Sequence, residues 1–220
     1  MNLLALEFSS GKGSAALFLD GSPVAEHTWG PEERRHEHSL DIVARMMSKA
    51  DCRFEDLDLY ATGRGPGNYS GMRIGLAMAQ SLALPDRKPV FAVPSGEALA
   101  WQVRAEFPDQ PIAVTGDARR GKVWLGVFLP GQNGLEQQGP WALHDPEAVR
   151  ATVPASAVWV TPEWPRLEPI IAKNGWEDFS WIKESRHPSA TGVGERVLAR
   201  HQAGIPSDPL TPLYLHRAVA

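Results

Sequence analysis

Cysteine is almost missing from this chain: Cys52 is the only one in 220 residues. No internal disulfide can form, and a four-cysteine zinc site is excluded. Long apolar runs are also missing. None approaches the ~18 residues that a membrane-spanning helix needs. The opening Met1-Asn2-Leu3 carries no basic segment ahead of its apolar stretch, so it reads as mature protein rather than a signal peptide. These features predict a cytoplasmic protein with no membrane partner. An excess of basic residues is lacking as well. Lys and Arg total 22 against 26 Asp and Glu, for a net charge of -4 and a pI near 6.0. A stand-alone nucleic-acid binder needs a basic face, so this balance argues against one. It leaves room for a subunit of an assembly that handles RNA. No internal repeat or low-complexity segment occurs. Otherwise the composition is ordinary globular, with 43% hydrophobic and 22% charged residues. The length suits one large domain or two small ones.

The first third alternates in a readable way. Leu3 to Phe8, Ser14 to Leu19 and Val24 to Trp29 have strand length and composition, and Asp20-Gly21 is a strong hairpin turn signal. From His36 to Ala50 the period changes, and Leu40, Val43, Ala44 and Met47 fall on one helical face. Leu57 to Thr62 predicts a strand, Gly71 to Leu84 a helix with Ser70 as its cap, Val90 to Val93 a strand, and Ser95 to Phe107 a helix. The order βββ-α-β-α-β-α is a mixed α/β layer. A domain boundary is expected near Pro108, giving units 1–107 and 108–220, with the last helix packing back on the first unit. In the second unit, Ile112 to Gly116, Lys122 to Leu129 and Val158 to Val160 read as strands, and Ala190 to Ala203 as the last helix. Residues 162 to 188, rich in Pro and Trp, give no clear periodicity. Seven of the eight tryptophans lie beyond residue 100, where core packing accounts for them.

The most specific stretch is Gly63-Arg64-Gly65-Pro66-Gly67-Asn68-Tyr69-Ser70, between a strand and a helix. Backbone N–H groups there could hold an anion, with Arg64, Gly65, Gly67 and Arg73 as the candidate loop. A tight connection that simply needs glycine explains the composition equally well. The spacing fits neither a Walker A loop nor the Rossmann fingerprint. In the helix that follows, Gly71, Gly75 and Ala79 form a stripe of small side chains flanked by Met72 and Leu76. Either the chain's own sheet or a partner helix could approach it. Ser9-Ser10-Gly11-Lys12-Gly13-Ser14 is a polar turn that could meet phosphate or be only a hairpin. His36 and His38, two apart, point to different helical faces and cannot share a metal. Asp117, beside Arg119 and Arg120, suits turn chemistry. No Gly-x-Ser-x-Gly elbow is present.

The run from Gly63 to Gly75 resembles the signature of the bacterial TsaB (YeaZ) family. The opening strand and hairpin, Asp117-Ala118-Arg119-Arg120-Gly121-Lys122-Val123-Trp124 and Leu213-Tyr214-Leu215 also resemble that family's segments. The resemblance implies an actin-like ATPase fold of the sugar-kinase, Hsp70 and actin type, with two α/β domains and the second reduced. It implies a non-catalytic scaffold subunit that binds a TsaD-like catalytic subunit, joined by a TsaE-like ATPase. That assembly adds threonylcarbamoyl to adenosine 37 of tRNAs reading ANN codons. The metal and the catalysis belong to TsaD. No cofactor would be tightly bound by this chain, with ATP or ADP only in the assembled complex. Leu40, Val43, Met47, Gly71, Met72, Gly75, Leu76 and Ala79 are then expected at the partner interface, which a homodimer could share. One departure is Glu7-Phe8-Ser9, where the family usually has Asp-Thr-Ala/Ser, and this argues against nucleotide binding at that loop. The alternative from another class is a stand-alone ATP-dependent sugar-kinase-like enzyme.

Overall fold

Leu3-Leu4-Ala5-Leu6 is apolar at every position, and the fold explains why. In the computed structural model, which describes residues 1–30, 39–132 and 134–216, these residues lie in β1 (Leu3–Glu7) at the centre of a sheet covered on both faces. Successive strand side chains point to opposite faces. Leu4 and Leu6 therefore enter one core cluster, and Leu3 and Ala5 enter the other.

The chain divides into two compact units. The first comprises Met1–Ala98 and Pro188–Leu213; the second comprises Leu99–His187 and the residues from Tyr214 onward. In the first unit, β2 (Gly13–Leu19) and β3 (Ser22–Trp29) complete an antiparallel meander. Its turn has positive φ at both Asp20 and Gly21, as the Asp-Gly signal predicts. Then follow α1 (Ser39–Lys49), β4 (Leu59–Gly63), α2 (Tyr69–Ala83) and β5 (Val90–Val93), and α3 (Ser95–Arg104) carries the chain across the division after Ala98, short of the boundary expected near Pro108. The sheet order is β3-β2-β1-β4-β5, with β4 and β5 parallel to β1. Side chains of α1 and α2 fill one face with Phe8, Trp29 and Tyr60. The last helix, α6 (Ala190–Gln202), covers the other face through Ala190, Val193 and Val197. A strap after α6 lies along β5: Ala92 N–H donates to Ser207 Oγ, and Asp208 N–H to Ala92 O.

The second unit holds β6 (Ile112–Arg119), β7 (Lys122–Gly131), β8 (Gly134–Gln137), β9 (Ala142–His144), α4 (Pro146–Val149), β10 (Val158–Thr161), α5 (Trp164–Asn174) and β11 (Ser180–Ser185). The sheet order is β11-β10-β6-β7-β8, with β9 also on β7. Strands β6, β10 and β11 are parallel. Residues 162–188, unassigned by periodicity, thus contain a helix and an edge strand. Trp159 stacks on Phe179 at 4.7 Å and packs near Trp176 and Trp181.

Several expected boundaries shift. α3 ends at Arg104 rather than Phe107. The cap of α2 is Asn68, whose Oδ1 accepts the Gly71 N–H at 2.8 Å; Ser70 already lies inside the helix. The expected start of α1 at His36 lies outside the described residues, as does His38. Among the described residues, no helix is long and apolar enough to cross a membrane.

Candidate functional site

The Gly63–Gly71 connection is pressed against the end of β1. Gly63 closes β4 opposite Glu7, and a Cβ on Gly63 would run into the Glu7 carboxyl group. At Gly71 a Cβ would run into the Phe8 carbonyl oxygen. Glycine is required at both positions because backbone and carboxyl approach so closely. The loop's own N–H groups are largely occupied. Arg64 N–H donates to Val93 O, Gly65 N–H to Ser95 Oγ at 2.9 Å, and Asn68 N–H to Ser9 O at 2.6 Å. Arg64 Nε donates to Thr211 O at 2.8 Å, while Leu213 N–H donates to Arg64 O. Burial lowers the Arg64 pKa, a direction opposed by nearby Asp208. Arg73 leans over the Tyr69 ring, with its Nη1 3.2 Å from the hydroxyl.

The candidate anion loop is therefore brought together only in part. Gly67 lies in it with φ +157°, a conformation that side chains rarely adopt, and a Cβ there would run into the Ser9 carbonyl oxygen. Arg64 is tied to the C-terminal strap, and Arg73 lies out on the helix. The arrangement works first as a clamp that fixes the start of α2 on the β1 end.

Glu7 is the chemically unusual group here. It is fully buried; Oε1 accepts the Ser9 N–H, and Oε2 makes no hydrogen bond. Burial pushes its pKa up, against hydrogen bonds from Ser9. Through Oε1 the Glu7 carboxyl group holds the Ser9 turn, and it lies against Gly63 at the end of β4.

The small stripe on α2 does not face outward. Gly71, Met72, Gly75, Leu76 and Ala79 are buried, with Ala79 at 0% exposure and Gly75 beside the Phe8 ring and Thr62 Oγ. Val43 and Met47 on α1 enter the same core. The reason is the sheet itself: β1 and β4 supply a flat face, and glycine lets the helix come down on it. Of the residues expected at a partner interface, Leu40 alone is outward, at 50% exposure. Periodicity missed the opposite faces. Tyr69, Ile74 and Leu84 on and at the end of α2 are exposed, the last at 75%. With Leu40, they account for four of the six large hydrophobic residues that are exposed among the described residues. Arg73 lies over the Tyr69 ring, and Arg45 and Lys49 on α1 are exposed as well.

In the second unit, Asp117 is half-enclosed at the β6–β7 hairpin. Its N–H donates to Glu163 Oε1 at 2.8 Å, and its Oδ1 accepts the Arg119 N–H at 2.8 Å. Glu163, from the stretch without periodicity, has a raised pKa because of burial. Asp117 and Arg119 thus build the turn. Among the described residues, no three of His, Cys, Asp and Glu converge to hold a metal.

The model of the TsaD family, tRNA N6-adenosine threonylcarbamoyltransferase, matches residues 30–150, more than half of the chain. The chain belongs to this family. Its similarity to TsaB (YeaZ) proteins is borne out as well. It is 33% identical over 138 residues to the tRNA threonylcarbamoyladenosine biosynthesis protein TsaB of Bacillus subtilis strain 168, covering 63% of this chain and 59% of that protein. With the TsaB of Escherichia coli K12 it shares 29% identity over 174 residues, covering 76% and 75%. Its structure superimposes on YeaZ from Pseudomonas aeruginosa with a TM-score of 0.82 at 25% identity, across 97% of this chain and 99% of that one. The two-unit α/β fold that the resemblance implies is the one found.

Proposed function

We propose that this chain is a scaffold subunit of the system that adds threonylcarbamoyl to adenosine 37 of tRNA, and that it acts by docking a TsaD-like catalytic subunit on the outer faces of α1 and α2. The observation that carries the docking surface is the exposure of Leu40 at the start of α1 and of Tyr69, Ile74 and Leu84 on and at the end of α2. Large apolar side chains left in water on two helices that share one core favour a contact surface there. Arg73, over the Tyr69 ring, favours a partner that presents a carboxylate beside it. The Gly63–Gly71 clamp supports this role, since it fixes α2 rigidly on the sheet and presents its outer face in one orientation.

The chain itself supplies no transfer chemistry in this reading. A TsaE-like ATPase and the tRNA join through the assembled complex, in the cytoplasm, and any nucleotide is held there. When no partner is present, the same face would support a homodimer. Reconstitution tests the reading. The TsaD-like subunit of the same organism, the TsaE-like ATPase, threonylcarbamoyl adenylate and an ANN-reading tRNA are combined with and without this chain. Modified adenosine should form only with both subunits. Modification by this chain alone, or undiminished modification without it, overturns the reading.

A further inference from the structure

The β6–β7 hairpin ends in a turn that its residues do not favour. Arg119 pairs with Lys122, so Arg120 and Gly121 are the two central residues. Their φ values of +54° and +73° are those of the hairpin turn that prefers Asn-Gly. Arg119, at φ +67°, is left-handed too, at the register shift that follows Asp117. Each Cβ in that region crowds a carbonyl oxygen, so two consecutive arginines there are held against their preference.

The surroundings show how the tip is held. Asp117 Oδ1 accepts the Arg119 N–H, and Oδ2 lies 3.1 Å from Arg119 Nη1. Asp117 is in turn anchored through its N–H to Glu163. His216 Nε2, 2.6 Å from Ala118 O, braces the base of the hairpin as a donor, because a carbonyl can only accept. Lys122 pairs with Asp145 at 2.6 Å. Arg120 is exposed at the crest, with no side-chain partner among the described residues. The result is an unpaired guanidinium between a second guanidinium and an ammonium group, on a braced turn that asparagine would form more easily.

A guanidinium in that setting matches the oxygens of a phosphodiester. Because the chain as a whole is acidic, attraction to RNA cannot come from its overall charge and must be local. Resting on the functional reading above, we propose that the Arg119–Arg120 tip contacts the sugar-phosphate backbone of the tRNA. Arg120 supplies the charge, and Asp117 fixes the direction in which Arg119 points.

The test uses the full chain assembled with its TsaD-like partner and a labelled ANN-reading tRNA transcript, titrated at several salt concentrations. Arg120→Asn suits the turn, so its melting temperature should hold or rise, and lost binding would not reflect unfolding. Affinity should fall roughly 3- to 10-fold, and the slope against log salt should become shallower by about one phosphate contact. Arg120→Lys should retain most of the affinity. Wild-type affinity and slope in Arg120→Asn would overturn the tip contact while leaving the functional reading intact. Failure of the wild-type chain to assemble with the partner, or of the assembly to bind tRNA, would overturn both.

Discussion

At Glu7 and Tyr60, polar atoms are buried without hydrogen bonds, and each should affect stability in a measurable way. Tyr60 lies in the core beneath α1 and α2, with an unpartnered hydroxyl and a pKa pushed up to about 12, mainly by burial. An unsatisfied buried hydroxyl carries its full desolvation cost. Tyr60→Phe should therefore stabilise the fold by ~1 kcal/mol, read as a higher midpoint in urea with an unchanged slope. Glu7 behaves differently because it titrates. Its folded pKa lies above the ordinary carboxyl value of 4.5. The stability it contributes is fully present below that value and is lost as pH rises through the folded pKa. Wild-type stability should thus decline as pH rises above the ordinary carboxyl value of 4.5, and Glu7→Gln, which keeps an acceptor for Ser9, should be flatter there. A pH profile of the variant parallel to wild type would show that Glu7 is ionised in the fold.

At the scale of the element, α2 shows what sequence pattern reaches and where it stops. Its presence, its length and its glycine stripe were all legible, since Gly71, Gly75 and Ala79 repeat at helical spacing. Which side the stripe faces was not, because a small-residue stripe suits a sheet below and a helix above equally well. The structure gives it to the sheet. Ala79→Leu should therefore overpack the protein's own core, costing ~1–3 kcal/mol of stability with a lower melting temperature, rather than only weakening a partner contact. α5 was illegible for a different reason. Pro165 and Pro169 interrupt its pattern, although the first occupies the opening turn where proline is tolerated. Glu163, just before it, was missed along with the helix. Asn68 rather than Ser70 caps α2, a shift of the kind expected where two capping residues stand close together.

At the scale of the molecule, the two-sheet organisation followed from the motifs, while the return of α6 and its strap to the first sheet became definite only in three dimensions. Contacts such as Arg64 with Thr211 span 147 positions, beyond any local pattern. The buried pair Glu97–Arg196, with Arg200 bridging on to Asp208, fastens the same strap. Leu40, Tyr69, Ile74 and Leu84 are exposed on α1 and α2, and the proposal is that these outer faces bind the catalytic partner. Ile74, on α2, is 51% exposed. Ile74→Glu should leave the unfolding free energy within about 0.5 kcal/mol of wild type, as exposed substitutions do. Isothermal titration of the variant into the TsaD-like subunit is the most direct measurement. An affinity loss of roughly 10- to 100-fold is predicted for a charge placed at the centre of an apolar contact. Wild-type affinity in a normally folded Ile74→Glu would contradict the account and place the partner elsewhere on the chain.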